Sequence, residues 1–160
     1  MLAAMARHVA VGNMTTQQSG EGGWAVPLGS PSFVEAMVPR PVLVVDDDPD
    51  IRETLRFVLE DAGYPVYSAE NGKEALSILS SVARLPGLIL LDLMMPVMSG
   101  DEMLKALKSV HALAEIPVTI VTASGAPMPP LASGLLKKPV DLDVLLRIVE
   151  RSCGDAEERT

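Results

Sequence analysis

The sequence predicts an α/β fold built around an interior parallel sheet, and three observations carry that prediction. Five short apolar runs recur along the chain, helical stretches with one apolar stripe separate most of them, and three of the runs show little polar alternation. Strands covered by helices on both faces read this way, whereas a half-solvated sheet alternates.

Taken in order, the first strand is "VLVV" at 42–45. Asp48 then precedes Pro49, a pairing that suits an N-cap followed by proline at the first helical position, and Asp50 is a first-turn acid favoured by the helix dipole. Ile51, Leu55, Val58, Leu59 and Ala62 recur at helical spacing and give that helix one packing face. The second strand is "YPVYSA" at 64–69, followed by a helix with Ala75, Ile78, Leu79 and Val82 on its stripe. "LILL" at 88–91 is the third strand, and Met103, Leu107 and Val110 mark a helix opened by Gly100 and Asp101. "VTIVTA" at 118–123 and the weaker "GLLK" at 134–137 complete the set of strands. A last helix, opened by Asp141, carries Leu142, Leu145, Leu146 and Val149.

The segment between the last two strands departs from this rhythm. "TASGAPMPPLASGLLKKP" holds Pro127, Pro129 and Pro130, and proline inside a helix costs about 3 kcal/mol or more. The expected helix is therefore shortened or absent, with room for at most one turn from Pro130 to Gly134.

Composition bounds the rest. A chain of 160 residues with 48% hydrophobic and 21% charged residues suits one globular domain. The net charge of -8 argues against direct nucleic-acid binding, which selects for basic stripes. Cys153 is the only cysteine, so an internal disulfide and a multi-cysteine metal site are excluded. The opening "MLAAMARHVAVGNM" is too polar to span a membrane or to act as a signal peptide, and a cytoplasmic setting without membrane association is expected. Residues 1–39 are rich in Gly, Ser, Gln, Thr and Pro and are expected to be a disordered arm, either a tether or a dispensable extension with the true start at Met37. The domain is placed at 40–153 and a polar tail, "GDAEERT", at 154–160, with no output domain expected beyond it.

The chemistry lies at strand ends. Ligands of open parallel sheets bind beyond the carboxyl ends of the strands, where the first strand runs into Asp46, Asp47 and Asp48 and the third into Asp92. Right-handed connections place those strands side by side, so the acids converge. Unit charges about 4 Å apart repel by roughly 4 kcal/mol at an effective dielectric near 20, so the cluster calls for a cation. With no His or Cys nearby, the donors suit a hard ion, Mg²⁺ above all. Capping explains Asp48; Asp46, Asp47 and Asp92 have no such explanation. A carboxylate beside such an ion can become an aspartyl phosphate, with Lys138 and the Thr122 hydroxyl available for the phosphoryl oxygens.

Together "VLVVDDDPDIRETL", "LILLDLMMPVMSGDEML", "IPVTIVTAS" and "LLKKPV" resemble the response regulator receiver domain of bacterial two-component signalling, of the chemotaxis type, over about Pro41 to Cys153. The resemblance implies a flavodoxin-like three-layer sandwich with a doubly wound five-stranded parallel sheet ordered 2-1-3-4-5. It implies Asp92 as phosphoacceptor, Asp47 as a direct and Asp46 as a water-mediated Mg²⁺ ligand, and the Met94 backbone carbonyl as a further ligand. Thr122 resembles the switch hydroxyl and Lys138 the phosphoryl-contacting lysine, with a cis Lys138–Pro139 bond and Lys137 a solvated neighbour. Leu135 stands where many relatives carry the aromatic switch residue. Met94 and Ser124 occupy positions that tune self-dephosphorylation, expected to be slow.

The implied function is that of a stand-alone response regulator. It takes a phosphoryl group from a sensor histidine kinase or histidine phosphotransfer protein, signals by protein contact or phosphorelay, and is not an enzyme in the usual sense. One alternative is a receiver-like binding module that works without phosphorylation. Another is a phosphohydrolase with a strand-end aspartate, which would need a second acid where Met94 stands and a cap domain. No P-loop or dinucleotide fingerprint occurs. His8 and His111 are unpaired, and Met94, Met95 and Met98 suit loop packing around Pro96.

Overall fold

The computed structural model describes residues 38–154; the expected arm up to residue 37 and the tail beyond Gly154 lie outside the described residues. Five strands, β1 (Val42–Val45), β2 (Val66–Ala69), β3 (Leu88–Leu91), β4 (Val118–Thr122) and β5 (Gly134–Lys137), form one sheet ordered β2-β1-β3-β4-β5. Every pairing is parallel. The helices are α1 (Pro49–Asp61), α2 (Gly72–Ser81), α3 (Gly100–Ser109), α4 (His111–Ala114) and α5 (Leu142–Cys153).

The unbroken apolar strands are explained by two cores, one on each face. Leu43, Val45, Ile89, Leu91 and Ile120 point to the side covered by Ala75 and Leu79 of α2 and Met103, Leu104 and Leu107 of α3. Val42, Val44, Leu88, Leu90 and Val121 point to the side covered by Leu55 and Leu59 of α1 and Leu145, Val149 and Cys153 of α5. Alternate residues of each strand thus feed opposite layers, as the period of two requires.

The helix starts follow local chemistry. Asp48 caps α1 by accepting from the Asp50 and Ile51 amides, and Asp141 caps α5 by accepting from Asp143 and Val144. The start of α3 is set by Ser99 in a reciprocal capping box with Glu102, rather than by Gly100 and Asp101 alone. Ala62 and Val110 leave their expected stripes and are exposed, because α1 ends before Ala62 and the chain turns at Val110 into α4, a short helix not anticipated from periodicity. Strand β2 starts at Val66 and β4 stops at Thr122, slightly inside the expected runs.

No helix joins β4 to β5 among the described residues. Only a turn forms, with the Ala132 amide donating to the Pro129 carbonyl at 3.0 Å, before the Ser133 amide donates to Val118 and starts β5. Prolines thus remove the helix, and Met128 and Leu131 remain exposed.

Gly100 joins α3 to the end of β3. A Cβ there would lie 2.7 Å from Leu93 Cα and against the Asp92 carbonyl oxygen, both backbone groups that cannot rotate away. Gly100→Ala is expected to lower stability by about 2 kcal/mol or more despite alanine's better helix propensity, read as a lower midpoint in urea unfolding.

Candidate functional site

The register of β1 against β3 builds the site. Val45 pairs with Leu91, so the next residues, Asp46 and Asp92, leave the sheet side by side, with the Asp92 amide donating to the Val45 carbonyl at 2.9 Å. Both residues are almost fully enclosed, 2% and 5% exposed. Asp47 is exposed at the rim, yet one carboxylate oxygen from each of Asp46, Asp47 and Asp92 lies within 4.8 Å of the others.

Lys138 supplies the opposing charge. Thr122 pairs with Lys137 in the β4–β5 ladder, and the Lys138 amide donates to the Thr122 carbonyl at 3.0 Å. The Lys138 backbone is therefore fixed one step past β5, before a cis bond to Pro139, while Lys137 is exposed. The Lys138 ammonium donates to Asp46 Oδ2 at 2.7 Å and to Asp92 Oδ2 at 3.4 Å. The remaining carboxylate oxygens are met by backbone, with the Asp48 amide donating to Asp46 Oδ1 at 2.9 Å and the Met94 amide to Asp92 Oδ1 at 3.2 Å.

Burial pushes the Asp92 carboxyl above its ordinary range and the Asp46 charge adds to the rise, against the Met94 amide and Lys138, which pull it down. Burial alone would lower Lys138, but the hydrogen bond and charge of Asp46, followed by those of Asp92, outweigh it and hold the ammonium above its usual value. The pocket thus favours a cation at Lys138 while disfavouring an uncompensated negative charge on Asp92.

Thr122 is fully buried at the end of β4. Its hydroxyl donates to Ser124 Oγ and accepts from the Ser124 amide, both at 3.2 Å. Leu135, paired with Ile120, packs partly buried against the α2–α3 core. Met94 is 72% exposed above the acids. Beyond it the Met98 amide donates to the Pro96 carbonyl at 2.8 Å, closing a turn with Val97 at φ 70°, a conformation that strains a β-branched residue.

The three carboxylates form an all-oxygen set suited to Mg²⁺ rather than zinc. Two site residues escaped the sequence reading. Arg52 donates from Nη1 to the Asp46 carbonyl at 2.7 Å, closing the first turn of α1 onto the site; its one signal was a cation in the acid-rich "DDDPDIR". Gly100 abuts the Asp92 backbone, signalled by a glycine at the start of a helix.

A family model described as "Response regulator receiver domain" matches residues 42–150. An uncharacterized 14.6 kDa protein in the sodA1 3′ region of Leptolyngbya boryana is 39% identical over 75% of this chain and 95% of its own. The phosphate regulon transcriptional regulatory protein PhoB of Pseudomonas aeruginosa is 43% identical over 56% of this chain, which spans 38% of that longer protein. Among solved structures, the Vibrio cholerae chemotaxis protein CheY4 superposes with a TM-score of 0.64 at 33% identity, covering 71% of this chain and 98% of that one.

Two expectations follow from the geometry. Val97→Gly relieves the strained turn and should raise stability by about 1 kcal/mol, measured by chemical unfolding. The stability that Lys138 contributes is fully present below the ordinary lysine pKa of about 10.4 and is lost as pH rises through its raised folded value. In chelator, unfolding free energy should therefore fall as pH rises from the ordinary lysine value through the raised folded one, and Lys138→Met should be less stable at pH 7 with a flatter alkaline limb.

Proposed function

The chain belongs to the response regulator receiver family, and on that premise we propose that it accepts a phosphoryl group on Asp92 from a phosphohistidine of a sensor kinase or phosphotransfer protein. The observation that carries this reading is the Lys138 ammonium bridging the two enclosed carboxylates, Asp46 and Asp92, at the carboxyl edge of the sheet. Such an arrangement holds a nucleophile and a counter-charge within reach of one incoming group.

In the proposed reaction an Asp92 carboxylate oxygen attacks phosphorus, the O–P bond forms as the P–N bond to imidazole breaks, and the donor ring leaves with the bonding pair. Asp46, Asp47, Asp92 and the Met94 carbonyl would hold Mg²⁺, which supplies positive charge for the phosphoryl oxygens when bound. Lys138 contacts a phosphoryl oxygen in exchange for its carboxylate partners, and the Thr122 hydroxyl donates to another. Met94 offers no polar side chain to guide a water, so loss of the phosphoryl group should be slow, with Ser124 as a second tuning position. The chain then acts in its own phosphorylation rather than as an enzyme on other substrates.

Output is proposed to pass by protein contact or phosphorelay, in the cytoplasm, without nucleic acid or membrane. A sensor histidine kinase of Ectopseudomonas mendocina, TmoS, carries a matching segment, 40% identical over 82 residues. That match is compatible with either direct kinase output or a relay. The absent β4–β5 helix favours one second reading, a binding module indifferent to phosphorylation.

Acetyl phosphate or a phosphorylated kinase panel, with and without Mg²⁺, separates these readings. Wild-type protein should be labelled only with Mg²⁺, Asp92→Asn should not be labelled, and Asp47→Asn should need at least tenfold more Mg²⁺. Labelling that persists in Asp92→Asn moves the acceptor elsewhere, and no labelling of the wild type favours the binding module.

A further inference from the structure

Helices α2 and α3 end at the edge of the sheet where the strands begin, opposite the acids. Between their last turns lies an apolar groove of about 600 Å³, which the site at the other edge does not use. Leu76, Leu79 and Leu85 form one wall, Ala106, Val110 and Leu113 the other, and no charged residue lines it. Leu79 is buried, whereas Val110 stays 46% exposed where the chain bends into α4. An apolar cavity of roughly 150 Å³ already accepts a benzene ring, so the groove has room for an aromatic side chain and a neighbour.

The approach of the chain to β1 runs along the rim of this groove. Arg84 donates from Nη2 to the Val38 carbonyl at 2.7 Å and from Nη1 to the Pro39 carbonyl at 3.3 Å. Further along, Arg40 Nη2 donates to the Pro86 carbonyl at 3.5 Å and the Gly87 amide to the Pro41 carbonyl at 2.8 Å. Residues 38–41 therefore run beside 84–87 in the same direction. Arg84 is itself held by the Tyr67 hydroxyl, which donates to its carbonyl at 3.1 Å, and it adjoins Leu85 of the groove wall. Backward from Val38, the same alignment points toward the last turn of α2, where Leu79 and Ser80 line the groove.

The residues just before Val38 have the composition to fill it. Residues 31–37 read "PSFVEAM", with Phe33, Val34 and Met37 against a single charge at Glu35. Phe33 stands five residues before Val38, a reach of up to about 17 Å when extended. That exceeds the roughly 8–10 Å between the axes of packed helices. A short tether also sets an effective concentration on the order of millimolar, which favours this segment over the same segment of a second chain or a separate partner.

We propose that residues 31–37 dock in the α2–α3 groove of their own chain, with the Phe33 side chain against Leu85, Val110 and Leu113 and with Arg84 clamping the backbone that follows. The inference is independent of phosphoryl chemistry at Asp92. It makes this stretch a working part of the domain rather than dispensable sequence ahead of Met37.

The test uses the full chain with ¹³C-labelled Leu and Val methyl groups and protonated Phe rings, followed by nuclear Overhauser spectroscopy over a dilution series. Cross-peaks from the Phe33 ring to the Leu85, Val110 and Leu113 methyls should appear at every concentration. A soluble gadolinium chelate should broaden the Val110 methyls less than those of Leu131, which is 47% exposed and lies far from the groove in sequence. Phe33→Ala should remove the cross-peaks, shift those methyls and open Val110 to the chelate, while Phe33→Leu should restore most of the protection. Phe57→Ala removes the other phenylalanine, exposed on α1, and should change none of these signals. Cross-peaks found only between differently labelled chains, and fading on dilution, assign the groove to a second copy and overturn the proposal. It is overturned equally if wild-type Val110 is as accessible to the chelate as Leu131, which leaves the groove open, or if protection survives Phe33→Ala, which gives it to another occupant.

Discussion

Two carboxylates held out of water at the same sheet edge repel each other, and each loses hydration that only charged or hydrogen-bonding partners replace. Asp46 and Asp92 are in this position, and the Lys138 ammonium is the group that makes it tolerable. The rest of the architecture can be read as the means of delivering that ammonium. It arrives from the far side of the sheet, across β4, and its backbone is anchored to Thr122 before the side chain reaches back to β1 and β3. A strand order other than β2-β1-β3-β4-β5 would separate the acids or strand the lysine.

The same balance explains how the site can be both stable and reactive. Lys138 satisfies one oxygen of each acid, and backbone amides satisfy the other. Among the described residues no buried side-chain nitrogen or oxygen lacks a partner. In the proposed reaction the Lys138 bonds are the exchangeable ones, because a phosphoryl group on Asp92 would offer the ammonium charged oxygens in place of its carboxylate partners. The loop beyond Asp92 is less relaxed: a valine occupies a left-handed turn, and the backbone of α3 presses against the Asp92 carbonyl at Gly100. Strain and close approach both collect within a few residues of the acid whose chemistry is proposed.

Much of this was legible in the sequence because the signals were local or doubled. Apolar runs of four residues with little alternation, bounded by turn residues, pointed to strands buried on both faces, and Asp48-Pro49 and Asp141 marked helix starts through side-chain chemistry that needs no tertiary context. The convergence of Asp46, Asp47 and Asp92 followed from their place at strand ends together with crossover handedness. What escaped depended on contacts distant in space. Val110 looked like one more stripe position because periodicity does not register where a chain bends, and the four residues of α4 are too few to display a period. Arg52 was invisible as a site residue because its partner is a backbone carbonyl, which has no sequence signature. The pairing of Thr122 with Ser124 was equally hidden, since two hydroxyls two residues apart fit a solvated loop as well as a closed hydrogen-bonded unit.

The direct passage from β4 to β5 has a mechanical side. Parallel neighbours require the chain to return the full length of the sheet, and residues 123–133 are about the dozen that such a crossover needs. Where a helix would coil up that length, this connection spends it in bends and one turn between two clamps, the Ser133 amide on Val118 and the Lys138 amide on Thr122. Those clamps fix the register of the edge strand that seats the lysine, and the residues between them are left free of that duty. The stretch is thus a bridge whose footings belong to the charge balance at the sheet edge and whose span does not.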